Sequence, residues 1–374
     1  MIPDVAVIGA GSFGAWTAWH LRQAGLNVRL MDAYGAANSR ASSGGESRII
    51  RAGYGAREIY TRFTLRSLEL WRQLAAENDP TLFHGCGVLW IAPQQDAFAQ
   101  ETVETLRNCG VRFERLTERE LESRYSWFRA AEGSWGIFEP DGGALMARRA
   151  IQTLAGKLSV ERRMVRWSDQ GPVCEDGSRL VAGAYVFACG PWLPKLFPGL
   201  FGNKIRTSRQ EVFFFGAPPA AQFGPERIPC WIDVGEKFYG FGDLENRGLK
   251  VACDRHGPVV DPDTLERVPS AEGLQAARDY LSRRIPCLAD APLVETRVCQ
   301  YENTATGDYL IDQHPDHPEV WIAGGGSGHG FKHGPAVGEY LSRRMLGSGP
   351  GEPRFSLASK VDFEGQGPES TFYR

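Results

Sequence analysis

Three glycines near the start of the chain have the spacing of a dinucleotide-binding loop. An apolar run at residues 5–8 leads into Gly9, Gly11 and Gly14, which follow the pattern G-x-G-x-x-G. In such a loop the first glycine allows a tight turn, the second lets a pyrophosphate approach the backbone, and the third lets the helix pack on the strand. The amide groups at the start of the helix, beginning with Ser12, would then bind the phosphates.

An acidic residue follows this loop where contact with a ribose is expected. The sequence predicts a helix over residues 12–21 that ends at Gly25, and then a strand over residues 27–31 that delivers Asp32. Strand, glycine loop, helix, strand and acid together predict a nucleotide cofactor. These residues leave NAD and FAD open as alternatives.

A second glycine-rich loop lies near the other end of the chain. It joins a predicted strand at residues 320–323 to a predicted helix at residues 335–345, and it contains Gly326, Gly328 and Gly330. Such a loop between strand and helix favours an anion or a cofactor. A third polar loop, over residues 38–48, is either functional or a flexible surface connection.

The remaining pattern predicts two domains that are interleaved in sequence. Apolar strands alternate with helices at the start and after residue 145, which is typical of a parallel sheet, whereas the aromatic-rich residues 211–255 are typical of antiparallel strands. We therefore predict a combined α/β and α+β fold, in which a Rossmann-like cofactor-binding domain is interleaved with an antiparallel-sheet substrate domain. The predicted boundaries are 1–80, 145–205 and 295–374 for the first domain, and 81–144 and 206–294 for the second.

Composition narrows the class of ligand. The 374 residues include 42 basic and 45 acidic side chains, so the net charge of −3 does not favour a nucleic-acid partner. No apolar run reaches the length of a membrane helix, and the apolar start lacks the basic residues of a signal peptide, so we predict a cytoplasmic protein without a membrane partner. The eight cysteines have no metal-ligand spacing, and we predict no metal site.

Four separated segments carry a resemblance to a known family. They are GAGSFG with Asp32, and residues 42–55, 296–315 and 324–339. With these motifs, the chain resembles the monomeric sarcosine oxidase and N-methyltryptophan oxidase group of FAD-dependent amine oxidases, within the D-amino-acid oxidase fold class. The motifs occur in the family's order and span nearly the whole chain.

The resemblance implies FAD as the cofactor, with its ADP half on the first loop and the flavin between the domains. Cys299 matches the position at which these oxidases attach the flavin through a thioether, although most cysteines of this kind are simply buried thiols. The implied cofactor-binding residues are Gly9, Gly11, Ser12, Gly14, Asp32, Ser42, Arg48, Cys299, Gly326, Gly328, Gly330 and Lys332.

The resemblance also implies a set of catalytic residues. Arg51 and Lys332 match positions that bind the substrate carboxylate, for which a guanidinium fork and a compact ammonium are suited. Lys250 matches a lysine at the far face of the flavin, where a cation would stabilise charge on dioxygen as it is reduced. Tyr239 and Tyr301 match residues that line the substrate pocket.

Two positions depart from the family pattern. The family often has histidines where this chain has Gly44 and Asp254, so the local charge and volume near the flavin or substrate differ. The fold and the cofactor survive these departures, whereas the identity of the substrate is left open.

The resulting prediction is an FAD-dependent oxidase of a secondary amine, most simply an N-methyl or N-alkyl amino acid. A hydride equivalent would pass to flavin N5, the imine would hydrolyse, and dioxygen would be reduced to hydrogen peroxide. The partners would be the small amine and dioxygen, and the protein a monomer. The alternatives are a flavin-dependent amino-acid dehydrogenase that passes electrons to a carrier, and a flavin-binding protein without catalysis.

Overall fold

A computed structural model describes residues 2–217 and 223–365. The α-helices are α1 (Ser12–Gln23), α2 (Glu58–Asn78), α3 (Ala97–Asn108), α4 (Glu118–Arg124), α5 (Ala147–Gly156), α6 (Leu193–Leu196), α7 (Pro198–Phe201), α8 (Ala271–Arg284) and α9 (Gly334–Met345). The strands are β1 (Val5–Ile8), β2 (Val28–Asp32), β3 (Arg48–Ile50), β4 (Phe83–His84), β5 (Val88–Pro93), β6 (Glu114–Leu116), β7 (Ser134–Glu139), β8 (Gly143–Leu145), β9 (Glu161–Arg162), β10 (Val165–Ser168), β11 (Gly171–Cys174), β12 (Ala184–Phe187), β13 (Ile205–Phe215), β14 (Cys230–Asp233), β15 (Phe238–Phe241), β16 (Leu249–Cys253), β17 (Leu293–Thr304), β18 (Leu310–Gln313) and β19 (Val320–Gly324).

The N-terminal strand lies inside a six-stranded sheet with the order β18-β19-β12-β1-β2-β9. All pairs in this sheet are parallel except β18 with β19. All four residues of β1 are buried, because β1 has neighbours on both edges and is covered on both faces. Parallel strands buried in this way read as continuous apolar runs. The predicted Rossmann-like sheet is therefore confirmed.

The second large sheet has eight strands in the order β17-β13-β16-β15-β14-β5-β7-β6. Its pairs are antiparallel except β14 with β5, which confirms the predicted antiparallel sheet. The longest ladder joins β13 to β17. Strand β17 lies in the segment 295–374 that was assigned to the cofactor-binding domain, yet it pairs within this second sheet. The domain boundaries themselves stay a prediction.

Local signals explain where several helices begin. Thr117 and Glu120 form a capping box at the start of α4. Helix α3 begins at Ala97, because the Asp96 side chain accepts a hydrogen bond from the Ala99 amide at 2.7 Å.

The last helix packs directly on the first one. A Cβ atom on Gly338 would lie 2.5 Å from the carbonyl carbon of Trp16, and one on Gly334 would lie 2.1 Å from Ser12 Oγ. Both glycines are therefore required by the close approach of α9 to α1. This packing places the loop before α9 beside the loop before α1.

Within the described ranges, no helix is both long enough and apolar enough to span a bilayer. The same residues contain no group of three or more His, Cys, Asp or Glu side chains arranged to hold a metal ion.

We expect Gly338→Ala to destabilise the protein by about 3 kcal/mol, because its methyl group would collide with backbone atoms of α1 that cannot move aside. Denaturant unfolding followed by circular dichroism measures this effect. The matched control is Gly156→Ala, where no heavy atom lies within 4 Å of the added Cβ. Since Gly156 ends α5, alanine there should be neutral or stabilising by up to about 1 kcal/mol. Equal effects of the two substitutions would contradict the packing argument.

Candidate active site

A cavity of about 690 Å³, called here the large cavity, lies where the glycine-rich loops meet. Its lining comes from the start, the middle and the end of the chain, and it is of a size that suits a cofactor. Predicted site residues that line it are Gly9, Gly11, Ser12, Asp32, Ser42, Arg48, Cys299, Tyr301, Gly326, Gly328 and Gly330. Gly14 lies behind the lining, where its Cβ would be 1.8 Å from the carbonyl oxygen of Gly9.

Asp32 ties the first glycine loop to the second strand. Its Oδ2 accepts a hydrogen bond from the Ala10 amide at 2.9 Å, and its Oδ1 accepts one from the Tyr34 amide at 2.9 Å. Burial nevertheless raises the pKa of this carboxyl, with the backbone donors opposing the shift. Asp32 thus holds the loop in shape and presents an acceptor to the cavity.

The start of α1 is arranged to receive an anion. The residue before the helix is Gly11, which has no side chain to cap it, and no acidic residue lies in the first turn. The Ser12 amide donates to Ser43 Oγ at 3.0 Å, and a Cβ on Gly11 would lie 3.3 Å from that same hydroxyl. The helix dipole and the open approach at Gly11 therefore favour a phosphate at this end of the cavity.

Two buried acceptors in the lining have no hydrogen-bond partner among the described residues. They are Gln300 Oε1 and Glu302 Oε1, both on β17. Buried polar atoms normally have partners, so these two atoms point to a polar ligand in the cavity. Together with the helix terminus and Asp32, they show that the residues present fit a dinucleotide such as FAD.

Cys299 lies in the large cavity and is flanked by a buried arginine. Its Sγ is 3.4 Å from Arg48 Nη2, and the Ser42 carbonyl oxygen lies 3.9 Å from the same sulfur. Arg48 also donates to the Ser42 carbonyl at 2.8 Å. The structure thus places the Cys299 sulfur beside the Arg48 guanidinium at the wall of the large cavity.

A second cavity of about 70 Å³, called here the small cavity, brings together the predicted substrate residues. Arg51, Tyr239, Tyr301 and Lys332 all line it. It shares Arg48, Tyr301, Gly328 and Phe331 with the large cavity. The two cavities are therefore adjacent, and a ligand in one lies close to a ligand in the other.

Arg51 is held between two aromatic rings. Its guanidinium carbon lies 4.4 Å from the centre of the Tyr54 ring and 4.5 Å from that of Trp90. Glu139 anchors the following segment, since it accepts hydrogen bonds from the amides of Ala52 and Gly53 and from Trp90 Nε1 at 2.7 Å. Cation–π contacts and this anchor position the arginine before any substrate arrives.

Lys332 is buried and its hydrogen bonds go to neutral groups: Nζ donates to Tyr54 Oη at 3.1 Å and to the His329 carbonyl at 3.1 Å. Burial, and then the charge of Arg51, hold its pKa well below the usual lysine value. A bound carboxylate would offset both effects, because it adds an opposite charge beside the ammonium. The site is thus electrostatically suited to an anionic substrate group.

A chain of hydrogen bonds lies behind Lys332. It runs from the Gly307 carbonyl through His329, Tyr309, His333 and Thr64 to the carbonyl of Arg51. Burial holds the pKa of both histidines well below the usual value, so both rings are neutral. With neutral rings, the four side chains of this chain each supply one hydrogen, whereas the chain has five contacts. One contact is therefore left without a hydrogen. The two histidines therefore add no positive charge next to Arg51 and Lys332.

Lys250 lines neither of these two cavities. Its Nζ donates to the Ser47 carbonyl at 2.8 Å, lies 3.2 Å from Ser47 Oγ, and sits 4.4 Å from the centre of the Phe241 ring. Burial, and then the charge of Arg48, hold its pKa well below the usual lysine value. The structure thus places Lys250 in a buried position next to the segment that carries Arg48.

The residue patterns missed three side chains that shape the site. Tyr54 lies in residues 42–55, a segment that was identified only through the family resemblance. Its side chain contacts both Arg51 and Lys332. Glu139 ends strand β7, and Glu302 lies near the end of strand β17. Both glutamates could have been noticed as acidic residues within a stretch of strand whose other residues are mostly buried. Buried carboxylates normally have a specific partner.

Comparison with known proteins places this geometry in context. The chain matches the family described as "DAO: FAD dependent oxidoreductase" over residues 4–344. It is 32% identical over 359 residues to the monomeric sarcosine oxidase of Bacillus sp. (strain B-0618), with 92% of each chain covered. It is 30% identical over 367 residues to the N-methyl-L-tryptophan oxidase of Salmonella arizonae, with 93% of this chain and 95% of the relative covered.

Solved structures share the fold. A thermally stable mutant of fructosyl peptide oxidase matches with a TM-score of 0.83 at 21% sequence identity, and covers 100% of this chain and 96% of its own. An open form of NikD, described as an unusual amino acid oxidase, matches with a TM-score of 0.76 at 22% identity over 95% of this chain and 96% of its own. At these identities the likeness is one of fold.

Glu302→Gln tests the burial of this carboxyl. Burial raises the pKa of Glu302 to about 8, so the folded apoprotein holds a proton that the unfolded chain has already lost. The free energy of unfolding should therefore fall as the pH rises from about 5 to about 8, by up to about 1.4 kcal/mol per pH unit. In Glu302→Gln this fall should be smaller, by about 3 to 4 kcal/mol across the range, as measured by denaturant unfolding of the apoprotein. The exposed control Glu272→Gln should keep the wild-type slope, and an unchanged slope in Glu302→Gln would contradict the assignment.

Proposed function

We propose, from the premise that the chain belongs to the FAD dependent oxidoreductase family, that it oxidises a secondary amine that carries a carboxylate, such as an N-methyl or N-alkyl amino acid. The observation that carries this proposal is the pairing of Arg51 with Lys332 in a cavity that adjoins the cofactor-sized one. The names of the relatives, a sarcosine oxidase and an N-methyl-L-tryptophan oxidase, support the same substrate class.

The substrate carboxylate binds between two cations that the protein has already positioned. Arg51 offers a planar fork and Lys332 a compact charge, and both are buried. Because the cations lie in a water-poor cavity, their attraction for a carboxylate exceeds that of the same groups in water. Holding the carboxylate fixes the neighbouring carbon and nitrogen, which supplies the orientation that the reaction needs.

Bound FAD would supply the electron acceptor: the carbon beside the nitrogen would lose one hydride equivalent, which is two electrons with one proton, and reoxidation by dioxygen would give hydrogen peroxide. The protein's part is to hold the amine and exclude water. Burial raises the pKa of Tyr239 to about 12, so its hydroxyl keeps its proton near neutral pH. The imine that leaves the site hydrolyses in water.

Lys250 is proposed to stabilise negative charge on dioxygen as it is reduced. The Ser47 carbonyl and the Phe241 ring both favour a cation at Nζ. Burial lowers the pKa of Lys250, which means that it disfavours the charged amine. Negative charge that develops nearby favours the protonated amine. Such electrostatic stabilisation in a buried site is commonly worth a factor of about 10² to 10³ in rate.

Cys299 is proposed to hold the flavin covalently. Its sulfur lines the large cavity beside Arg48, and only one other cysteine, Cys189, lines that cavity among the described residues. A thioether would prevent loss of the cofactor.

We further propose that the protein acts as a monomer, which the relatives' name "monomeric sarcosine oxidase" supports.

Anaerobic addition of sarcosine and other N-methyl amino acids should bleach the flavin, and in air one hydrogen peroxide should form per substrate oxidised.

In Lys250→Met we expect the rate constant for reaction with dioxygen to fall about 10²-fold, with little change in anaerobic flavin reduction. The matched control is Lys360→Met, because Lys360 is also buried but lies outside both cavities.

Several outcomes would contradict parts of this proposal. Bleaching without peroxide would favour a dehydrogenase that passes electrons to a carrier. A flavin that no amine bleaches would favour a flavin-binding protein without catalysis. Unchanged oxygen reactivity in Lys250→Met would remove Lys250 from the proposed oxygen step.

Acid precipitation tests the covalent bond. The wild-type pellet should stay yellow, whereas Cys299→Ser should release all of its flavin into the supernatant. Cys189→Ser is the matched control, because Cys189 lines the same cavity and its buried thiol has a raised pKa. A colourless wild-type pellet, or a colourless pellet from Cys189→Ser alone, would overturn the assignment to Cys299.

A further inference from the structure

The small cavity contains two unlike groups of polar side chains. Arg51 and Lys332 gather around Tyr54 and carry positive charge. A second group gathers around Tyr301 and consists of Tyr239, Asp254 and His256, all of which line the same cavity. The first group accounts for a substrate carboxylate, whereas Asp254 and His256 of the second group have no part in the function proposed above.

Asp254 supplies the negative charge of the second group. Its Oδ1 lies 3.5 Å from the hydroxyl oxygen of Tyr301, and it is the one acidic residue among the described residues that line the small cavity. Glu139, the buried carboxylate that anchors the segment after Arg51, does not line this cavity. Asp254 is thus the carboxylate that a ligand in this cavity meets.

The fold holds Asp254 at this place. It directly follows β16, and its amide donates to the Lys237 carbonyl at 2.8 Å. Strand β16 pairs with β15 so that Ala252 lies opposite Tyr239, which brings Asp254 to the end of the same two strands. Its side chain is half-buried, so its charge is only partly screened by water.

His256 and Tyr301, which lie beside Asp254, are both neutral. Burial lowers the pKa of His256 to about 4, so its ring is uncharged near neutral pH. The ring of His256 meets that of Tyr301 edge-on, with centroids 6.0 Å apart. Burial also raises the pKa of Tyr301 well above the usual value, so the phenol keeps its proton. The second group therefore carries one negative charge and several hydrogen-bonding atoms.

We propose that the substrate carries a hydrogen-bond donor, either a hydroxyl or an ammonium group, on the part of the molecule remote from its carboxylate, and that Asp254 binds this donor. This inference rests on the function proposed above and narrows its substrate class to hydroxylated or amino-bearing secondary amino acids. A plain alkyl group in the same place would leave the carboxylate of Asp254 facing apolar surface, which is costly.

Two sets of substrates of equal size test the inference. The first varies the group on nitrogen: N-propylglycine, N-(2-hydroxyethyl)glycine and N-(2-aminoethyl)glycine. The second varies the side chain: the N-methyl derivatives of 2-aminobutyrate, serine and 2,3-diaminopropionate. In at least one set we expect kcat/KM for anaerobic flavin reduction to be 10-fold or more higher for the hydroxyl or amino member than for the alkyl member.

Asp254→Asn should reduce the preference for the amino member over the alkyl member at least 10-fold, because the amide keeps the shape and removes the charge. The matched control is Asp261→Asn, an exposed carboxylate on the loop that follows, which pairs with Lys195. Binding supplies an independent readout: (2-aminoethylthio)acetate and (propylthio)acetate have sulfur in place of nitrogen, and their dissociation constants follow from changes in the flavin spectrum. Asp254→Asn should weaken only the first.

Two negative results are distinguishable. If sarcosine and both substrate sets fail to bleach the flavin, the proposed oxidation itself is wrong. If they bleach the flavin but the wild-type enzyme shows no preference within either set, the role of Asp254 is overturned while the oxidation stands. The wild-type comparison needs no variant, so this conclusion does not depend on how well Asp254→Asn folds.

Discussion

The packing of α9 on α1 is the contact on which both cavities depend. It brings together two glycine-rich loops that are more than three hundred positions apart in sequence, and Ser12 Oγ seals them by donating to the Phe331 carbonyl at 2.8 Å. The first loop lines the large cavity, where we propose that the nucleotide binds, and the second carries Lys332 and lines both cavities. Small residues at the crossing are essential, because any side chain on Gly338 would separate the helices and with them the two loops.

A second constraint is the burial of cations close to one another. Burying Lys332 beside Arg51 is unfavourable, and the lowered pKa of Lys332 reflects that cost. The protein limits the cost with aromatic faces around Arg51 and with carbonyl and hydroxyl acceptors around Lys332. The neutral histidines behind Lys332 add no further charge. An anionic substrate relieves the remaining repulsion, which makes the empty arrangement a prepared binding site.

Several features of the site could be predicted from the sequence, because their signals are local. Gly9, Gly11, Gly14 and Asp32 follow a spacing that a nucleotide-binding turn requires, and all except Gly14 line the large cavity. Cys299 and Tyr301 are two residues apart on one strand, so they share a face, and both reach that cavity. Lys250 illustrates the limit: its strand was predicted, but its burial beside Ser47 depends on a segment two hundred positions away.

The sequence by itself determined the two kinds of sheet, the glycine turns and the family, because these follow from periodicity and short spacings. Only the tertiary structure decided which side chains meet. It placed Asp254 beside Tyr301 within the cavity of Arg51 and Lys332, and it left Glu302 buried in the wall of the large cavity. Contacts between such distant positions depend on how strands and helices pack in three dimensions, and no local pattern of residue types encodes that packing.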